Sequence, residues 1–415
     1  MNRKTLPIIL LNFVSGITET LLIPVYPFII RDLGYSDFMF GLLIAIYPIF
    51  QFFGAPILGN MSDYYGRKPV LLISHAGTLL SWIIFALAYF ATGSLWPLII
   101  MMLSQVMDGI TGGNQSVANT YLADVTTEEE RTQVFGVSGA SIGFALIIGP
   151  AVGSLASASS LGYLGGTLLA IILSSVTLIA MFFSLQESLS PEQRIETLDL
   201  NPIHQLNLFR KIRHLTHVRS LTRLFVTSAI LSLAFYSYNT ILILWYADRL
   251  GLNQTEIGLL LFAVGSFLIV NQLFVLPAFE RRWGDLNTLS AGLLLFSLGL
   301  LLIRIPTSVW WFLPMAYVLN MGLALIFPTI QSLITKVADE RQEGEVQGIN
   351  TSIDALFFAI GPIFSGFLYA QLQGDTLIVL AVLTAIGLLF LLKSHQVINA
   401  ELPHSEIHPK AKRGR

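Results

Sequence analysis

The chain has 415 residues, of which 54% are apolar and only 12% are charged, and its mean hydropathy is +0.71. A soluble protein carries about 25% charged residues to face water, so this composition places most of the chain in lipid and excludes a large soluble catalytic domain. The net charge of -2 carries no polybasic signature of a nucleic-acid partner, and the absence of cysteine removes disulfides, thiolate zinc sites and iron–sulfur clusters.

Apolar runs of the length a spanning helix needs, roughly 20 residues, fall in chain order at 6–30, 38–60, 69–91, 95–123, 133–157 and 162–186, then at 221–247, 254–279, 286–305, 309–335, 345–371 and 375–393. The first run follows Arg3 and Lys4 as a signal peptide would, but it is too long for a signal-peptide core and lacks a small-residue cleavage pattern, so it reads as the first span. The expected fold class is an all-α integral membrane protein with twelve transmembrane helices in two six-helix halves, residues 1–186 and 220–393. Residues 187–219 form a cytoplasmic linker and 394–415 a cytoplasmic tail. In the linker, Asn201 and Pro202 can open a helix, after which Ile203, Leu206, Phe209, Ile212 and Leu215 recur every three residues beside Arg210, Lys211 and Arg213. This pattern fits a helix lying on the inner leaflet or a disordered basic linker. The tail from Pro409 to Arg415 is expected to be disordered and drawn to anionic lipid.

Lysine and arginine set the orientation. With a cytoplasmic N-terminus, twenty of the 23 basic residues fall on the inner side, and only Arg31, Arg249 and Arg304 fall outside. One missed span would scramble everything downstream of it, so the asymmetry supports the span count, cytoplasmic placement of both termini and a bacterial-type plasma (inner) membrane. The halves also look duplicated. Gly136 precedes Gly149-Pro150 by the same interval at which Gly348 precedes Gly361-Pro362, each set after an acidic loop (Glu128, Glu129, Glu130 in one half; Asp339, Glu340, Glu343 in the other). Parallel six-helix halves are one transporter architecture, with the ligand site at the repeat interface near the midplane.

The connection after the second span reads Gly59-Asn-Met-Ser-Asp63-Tyr-Tyr-Gly66-Arg67-Lys68. This G-x-x-x-D-x-x-G-R-K loop resembles the signature of the major facilitator superfamily and stands where that family places it. Physically, Gly59 permits close helix approach, Gly66 supplies a tight turn and Asp63 can face a helix N-terminus. The resemblance implies a cytoplasmic gate latch, with the carboxylate meeting the opposite half and Arg67 meeting an acid at the end of the fourth helix, here Asp124. A purely topogenic loop would explain Arg67 and Lys68 but neither Asp63 nor the glycines.

The fourth span carries Asp108-Gly-Ile-Thr-Gly-Gly-Asn-Gln-Ser-Val-Ala and continues through Tyr121-Leu-Ala-Asp124 to Arg131. This run is similar to tetracycline-type drug/proton antiporters, except that Gln105 stands where those relatives place an arginine implicated in coupling. In the fifth span, Gly143, Gly149, Pro150 and Gly153 resemble the antiporter motif G-x-x-x-G-P-x-x-G-G, with Ala145 and Ser154 in place of its first and last glycines. Small residues at this spacing allow close packing and the proline bends the helix. A packing role alone is the other reading.

Among the 25 acidic residues, only Glu19, Asp108 and Asp354 fall well inside a span. A carboxylate at a helix centre costs roughly 2.5–3.5 kcal/mol, so such residues face a cavity and titrate. They are the expected proton-coupling residues, and interhelical hydrogen bonding is the structural alternative for each. By helical spacing, Asn12, Ser15 and Glu19 share a face, as do Gln105, Asp108, Gln115 and Asn119. Tyr236 and Asn239 in the seventh span and Asn320 in the tenth are also polar. Spans one, four, seven and ten line the central cavity in the family resembled, so Asn12, Gln105, Gln115, Asn119, Tyr236, Asn239 and Asn320 are the expected substrate contacts.

No metal-ligand cluster, nucleotide loop or nucleophile constellation is visible in the sequence, so neither an enzyme nor a cofactor is expected. The resemblance implies a secondary active transporter, a proton-coupled exporter (antiporter) of small amphipathic or drug-like compounds. Its partners are a small-molecule substrate, protons and membrane lipid, and it acts as a monomer. Two alternatives stay open: a carrier of one metabolite or siderophore, and a non-transporting sensor or scaffold on the same fold.

Overall fold

The computed structural model describes residues 5–112, 114–198, 219–338 and 343–401. The predicted linker helix and the basic tail lie outside the described residues. Every regular element among them is helical. Eleven stretches are long and apolar enough to cross a membrane. One of these, Val346–Asn399, holds two helices, so the chain makes the twelve crossings its hydropathy predicts.

Three crossings that read as continuous are broken. The first is α1 (Leu6–Leu21) followed by α2 (Tyr26–Asp32). Pro24 and Pro27 lie at the break, where a proline cannot donate to the preceding turn. The fourth is α5 (Leu95–Thr111) followed by α6 (Asn114–Asp124), interrupted at Gly112. Between them run α3 (Asp37–Tyr65) and α4 (Arg67–Leu87), and after them α7 (Glu128–Ser157) and α8 (Tyr163–Ser184). The later crossings begin with α9 (Arg219–Leu250) and α10 (Gln254–Val270). The latter passes through a π-helical turn, Asn271–Val275, into α11 (Leu276–Trp283), whose Pro277 again removes a donor. The remaining helices are α12 (Asp285–Leu302), α13 (Val309–Val337), α14 (Glu343–Leu372) and α15 (Thr376–Glu401). Helix α15 runs past the end of its apolar segment at 393, since no glycine or proline stops it there.

The chain divides into two compact units, one of residues 1–206 with 252–262 and one of 207–251 with 263–415. In the first, α1 packs on α7 and α8, α3 on α5, and α4 on α5 and α8. A buried cluster beside the loop that joins α3 to α4 contains Ile8, Leu58, Val70, Tyr121, Met181 and Leu185. Where such side chains would otherwise meet water, each contributes about 1.5–3 kcal/mol; deeper in the bilayer, close packing replaces that drive. The exposed stripe Ile172, Val176, Ile179 and Phe183 on α8 would be a liability in water and is the face a lipid-embedded helix presents. In the second unit, α12 packs on α13 and α15, and α9 on α14 and α15. Six consecutive residues of α9, Ile241 to Tyr246, are each at most 3% exposed, so that stretch is enclosed on every side. Trp310 and Trp311, at the start of α13, are 83% and 72% exposed, as expected of residues at a membrane–water boundary.

Candidate functional site

The loop motif forms a closed polar knot. Gly66 has φ 106°, a left-handed conformation that favours glycine, and it starts α4 directly after α3. The turn buries Arg67, which is 7% exposed. Its Nε donates to Asp124 Oδ2 at 3.1 Å, its Nη1 donates to Ser62 Oγ at 2.8 Å, and it pairs with Asp63. Arg131 Nη2 donates to the Ala123 carbonyl at 3.2 Å, and Lys68 Nζ to the Phe182 carbonyl at 3.3 Å. Within its own unit, Gly59 has open space around the position a Cβ would take.

Sequence reasoning missed the linker's part in this knot. Glu187 accepts from the backbone N–H of Arg67 at 2.8 Å and of Lys68 at 3.2 Å, placing a carboxylate on the free donors and positive dipole end of α4. A Cβ on Gly66 would collide with that carboxylate and stand 3.1 Å from Arg194. Ser188 Oγ donates to Asp124 Oδ2, and Ile195 N–H to the Asp63 carbonyl. A lone glutamate after an apolar run carried no spacing signal. Glu187→Ala should lower stability by about 1 kcal/mol, the value of a solvent-exposed charge at a helix end. Thermal unfolding in detergent would measure it, and an unchanged melting temperature would rule the cap out.

The second unit repeats the turn with its charges reversed. Gly284 has φ 73° and starts α12, where Asp285 accepts from Lys336 Nζ at 2.8 Å and from Ser332 Oγ at 3.0 Å. In both units a residue at the start of one crossing thus pairs with one near the end of the next crossing.

The fifth-span glycines divide into two groups. Gly149 and Gly153 face α1: a Cβ on the first would stand 2.8 Å from the Ile17 carbonyl oxygen, and on the second 2.6 Å from the Leu21 carbonyl carbon. Gly143 has open space within its own unit instead. Pro150 lies inside α7. In the second unit Gly361 occupies the matching place, with Tyr236 Cβ 2.7 Å from where its Cβ would be.

Glu19 sits midway along the first crossing, Leu6–Asp32. Its residue surface is exposed, and it makes no hydrogen bond among the described residues. Asp108 lies close enough for the two charges to act on each other, and both act on Tyr47. Thr78 and Ser81 of α4 lie beside Asp108, two neighbours not anticipated from the sequence, and the Ser81 hydroxyl donates to the Thr78 carbonyl at 2.7 Å. Gln105 Nε2 donates to Tyr26 Oη at 3.2 Å. Gln51 Nε2 donates to Tyr47 Oη at 2.8 Å and to the Gly112 carbonyl at 3.1 Å. A Cβ on Gly112 would stand 2.9 Å from the Tyr47 hydroxyl, so the break in the fourth crossing is also where that ring closes in.

That break corrects the shared-face reading. Gln105 and Asp108 belong to α5 while Gln115 and Asn119 belong to α6, so helical spacing does not carry from one pair to the other. Asn12 is 4% exposed and donates to Ser138 Oγ of α7 at 2.8 Å. It is a buried tie between helices. Asn320 is likewise 4% exposed, and its amide donates to the Ala316 carbonyl of its own helix.

In the second unit, Asp354 accepts from Ser232 Oγ. One turn away, Ser228 Oγ donates to Asn350 Oδ1 at 2.7 Å, Asn350 Nδ2 to Gln331 Oε1 at 2.9 Å, and Gln347 Nε2 to Thr335 Oγ1 at 2.6 Å. Tyr236 packs tilted against Phe358 with ring centroids 4.8 Å apart, and Phe235 meets Phe327 edge-on at 4.6 Å. Asn239 is exposed, with its amide turned to the Phe235 carbonyl. In this cysteine-free chain, a single Glu19→Cys should react with a water-soluble maleimide while Ile8→Cys, fully buried, should not. Equal protection of both would place Glu19 out of contact with water.

A family model described as Major Facilitator Superfamily matches residues 8–354 and, in a second match, 224–413. The chain is 31% identical to the class C tetracycline resistance protein of Escherichia coli, over 84% of this chain and 85% of that protein. It is 24% identical to the quinolone resistance protein NorA of Staphylococcus aureus, over 89% of this chain and 90% of that one. Among solved structures it is similar to the human organic anion transporter MFSD10 (TETRAN), with a TM-score of 0.68, 22% identity, and coverage of 94% of this chain and 99% of the other.

Proposed function

The chain belongs to the major facilitator superfamily, and from that premise we propose that it is a proton-coupled antiporter exporting a small amphipathic, drug-like compound across the plasma membrane. The observation that carries the reading is Glu19, a carboxyl at mid-crossing that is exposed, unbonded and within electrostatic reach of a second acid. Two neighbouring carboxylates disfavour each other's charged form, so a proton on Glu19 is favoured while Asp108 is charged and is displaced by a cationic group of a substrate that reaches Glu19. Tyr26, Tyr47, Gln51 and Gln105 surround the pair with aromatic faces and amides, the mixture that small-molecule sites use to combine apolar contact with a few orienting polar groups. Asp354 is a second proton site, Tyr236 and Asn239 contact substrate in the second unit, and the Asp63–Arg67–Asp124 knot is the cytoplasmic latch. The relatives named for tetracycline and quinolone resistance support drugs as the substrate class.

One proton moving down about 100 mV supplies about 2.3 kcal/mol, enough at about 1.4 kcal/mol per tenfold for a gradient of roughly fifty-fold. The protein functions as a monomer, is not an enzyme, and has both termini in the cytoplasm, as the distribution of basic residues supports. The test is proton release from inverted vesicles with an acid interior when tetracycline or a quinolone is added. Release that collapses with the pH gradient is the expected result. A compound that moves equally well without the gradient would replace antiport with facilitated transport.

A further inference from the structure

The fifth-span motif departs from its family pattern at Ala145, and the structure assigns the missing space to another helix. Gly16 of α1 faces that side chain: a Cβ on Gly16 would stand 2.9 Å from Ala145 Cβ, too close to fit, whereas the next neighbours, the oxygen and Cα of Ile142, lie at 3.5 and 3.9 Å. We propose that Gly16 is a positioning residue, which receives the Ala145 methyl group and so sets the α1–α7 spacing at which Glu19 is presented.

The rest of the seam makes this contact decisive. Ser141 Oγ donates to the Ile9 carbonyl, Asn12 bonds Ser138, Ile17 meets Gly149 and Leu21 meets Gly153. Helices tied on both sides of the contact cannot yield at one point without shifting along their length, because packed interiors have no slack. Glu19 lies one turn beyond Gly16 and moves with it.

The second departure, Ser154, supplies an internal control. It faces Gly258 of α10, where a Cβ would collide with Ser154 and would also stand 2.6 Å from the Pro150 carbonyl oxygen. Removing the Ala145 side chain therefore frees the Gly16 contact, whereas removing the Ser154 side chain leaves a backbone obstacle at Gly258. The two sites look alike in sequence and differ only in what lies behind the side chain.

The link to Glu19 rests on the proposed proton coupling, so the experiment reads packing and transport separately. Melting temperature, maleimide labelling of a single Glu19→Cys, and tetracycline-driven proton release are compared for Gly16→Ala, Ala145→Gly and the double variant, and melting temperature for Gly258→Ala with and without Ser154→Gly. Gly16→Ala should lower the melting temperature, change the labelling rate about threefold or more, and slow proton release by about tenfold or more, the scale on which misplacing a reactive group acts. Ala145→Gly should restore all three, and Ser154→Gly should not restore Gly258→Ala. If wild-type vesicles release no protons, the coupling reading fails while melting and labelling still decide the positioning. Unchanged labelling in Gly16→Ala, no rescue by Ala145→Gly, or rescue of Gly258→Ala by Ser154→Gly would each overturn the proposal.

Discussion

Vesicles carrying Glu19→Gln should lose drug-driven proton release by about a hundredfold or more, the loss that follows removal of a proton-transfer group, while still folding and inserting. The substitution keeps the shape of the side chain and removes only its titration, and no hydrogen bond among the described residues depends on it. Asp108→Asn is the informative comparison, because it removes the second acid's charge and titration while keeping the shape of its side chain. A loss in Asp108→Asn smaller than in Glu19→Gln would make Glu19 the proton carrier and Asp108 the charge that tunes it. Equal, complete losses would mean that the acids act as one shared site. Wild-type release in Glu19→Gln would remove Glu19 from the mechanism.

The largest stability effect is expected at Arg67. Its side chain is 8% exposed, against 46% for Asp63 and 25% for Asp124. Removing one partner of a buried ion pair costs about 3–5 kcal/mol; because both acids here retain contact with water, Arg67→Ala should lose about 2–3 kcal/mol. Arg67→Lys should recover only part of this, since a single ammonium lacks the planar fork that reaches Ser62, Asp63 and Asp124 together. Thermal unfolding with and without high salt separates the contributions, because buried pairs are screened far less than surface ones. An Arg67→Ala protein that melts and transports like wild type would show that the knot holds neither the fold nor the latch.

Some of this site is legible in a single sequence, and some is not. Glu19 and Asp108 stand out because charge is expensive in lipid wherever the chain takes it, and the loop from Gly59 to Lys68 stands out because its chemistry is contiguous. Glu187, Thr78 and Ser81 do not, because nothing about one glutamate or two hydroxyls says which helix end or which carboxyl they meet. Asn12 and Asn320 illustrate the same point, both being buried and hydrogen-bonded to helix neighbours. A polar residue on the right face can line an opening or bind its neighbour, and only the partner's position decides which.

Hydropathy determined the class and the twelve crossings, because the bilayer acts on each segment through its composition and length alone. Only the tertiary structure decided where crossings one, four and eight break, which glycines touch another backbone, and which polar groups are ties rather than exposed site groups. Those outcomes depend on contacts between residues far apart in the chain: Gly16 with Ala145, Gly112 with Tyr47, Arg67 with Asp124 and Glu187. In lipid, where apolar burial does not itself bring helices together, close packing and hydrogen bonding between specific partners set their arrangement.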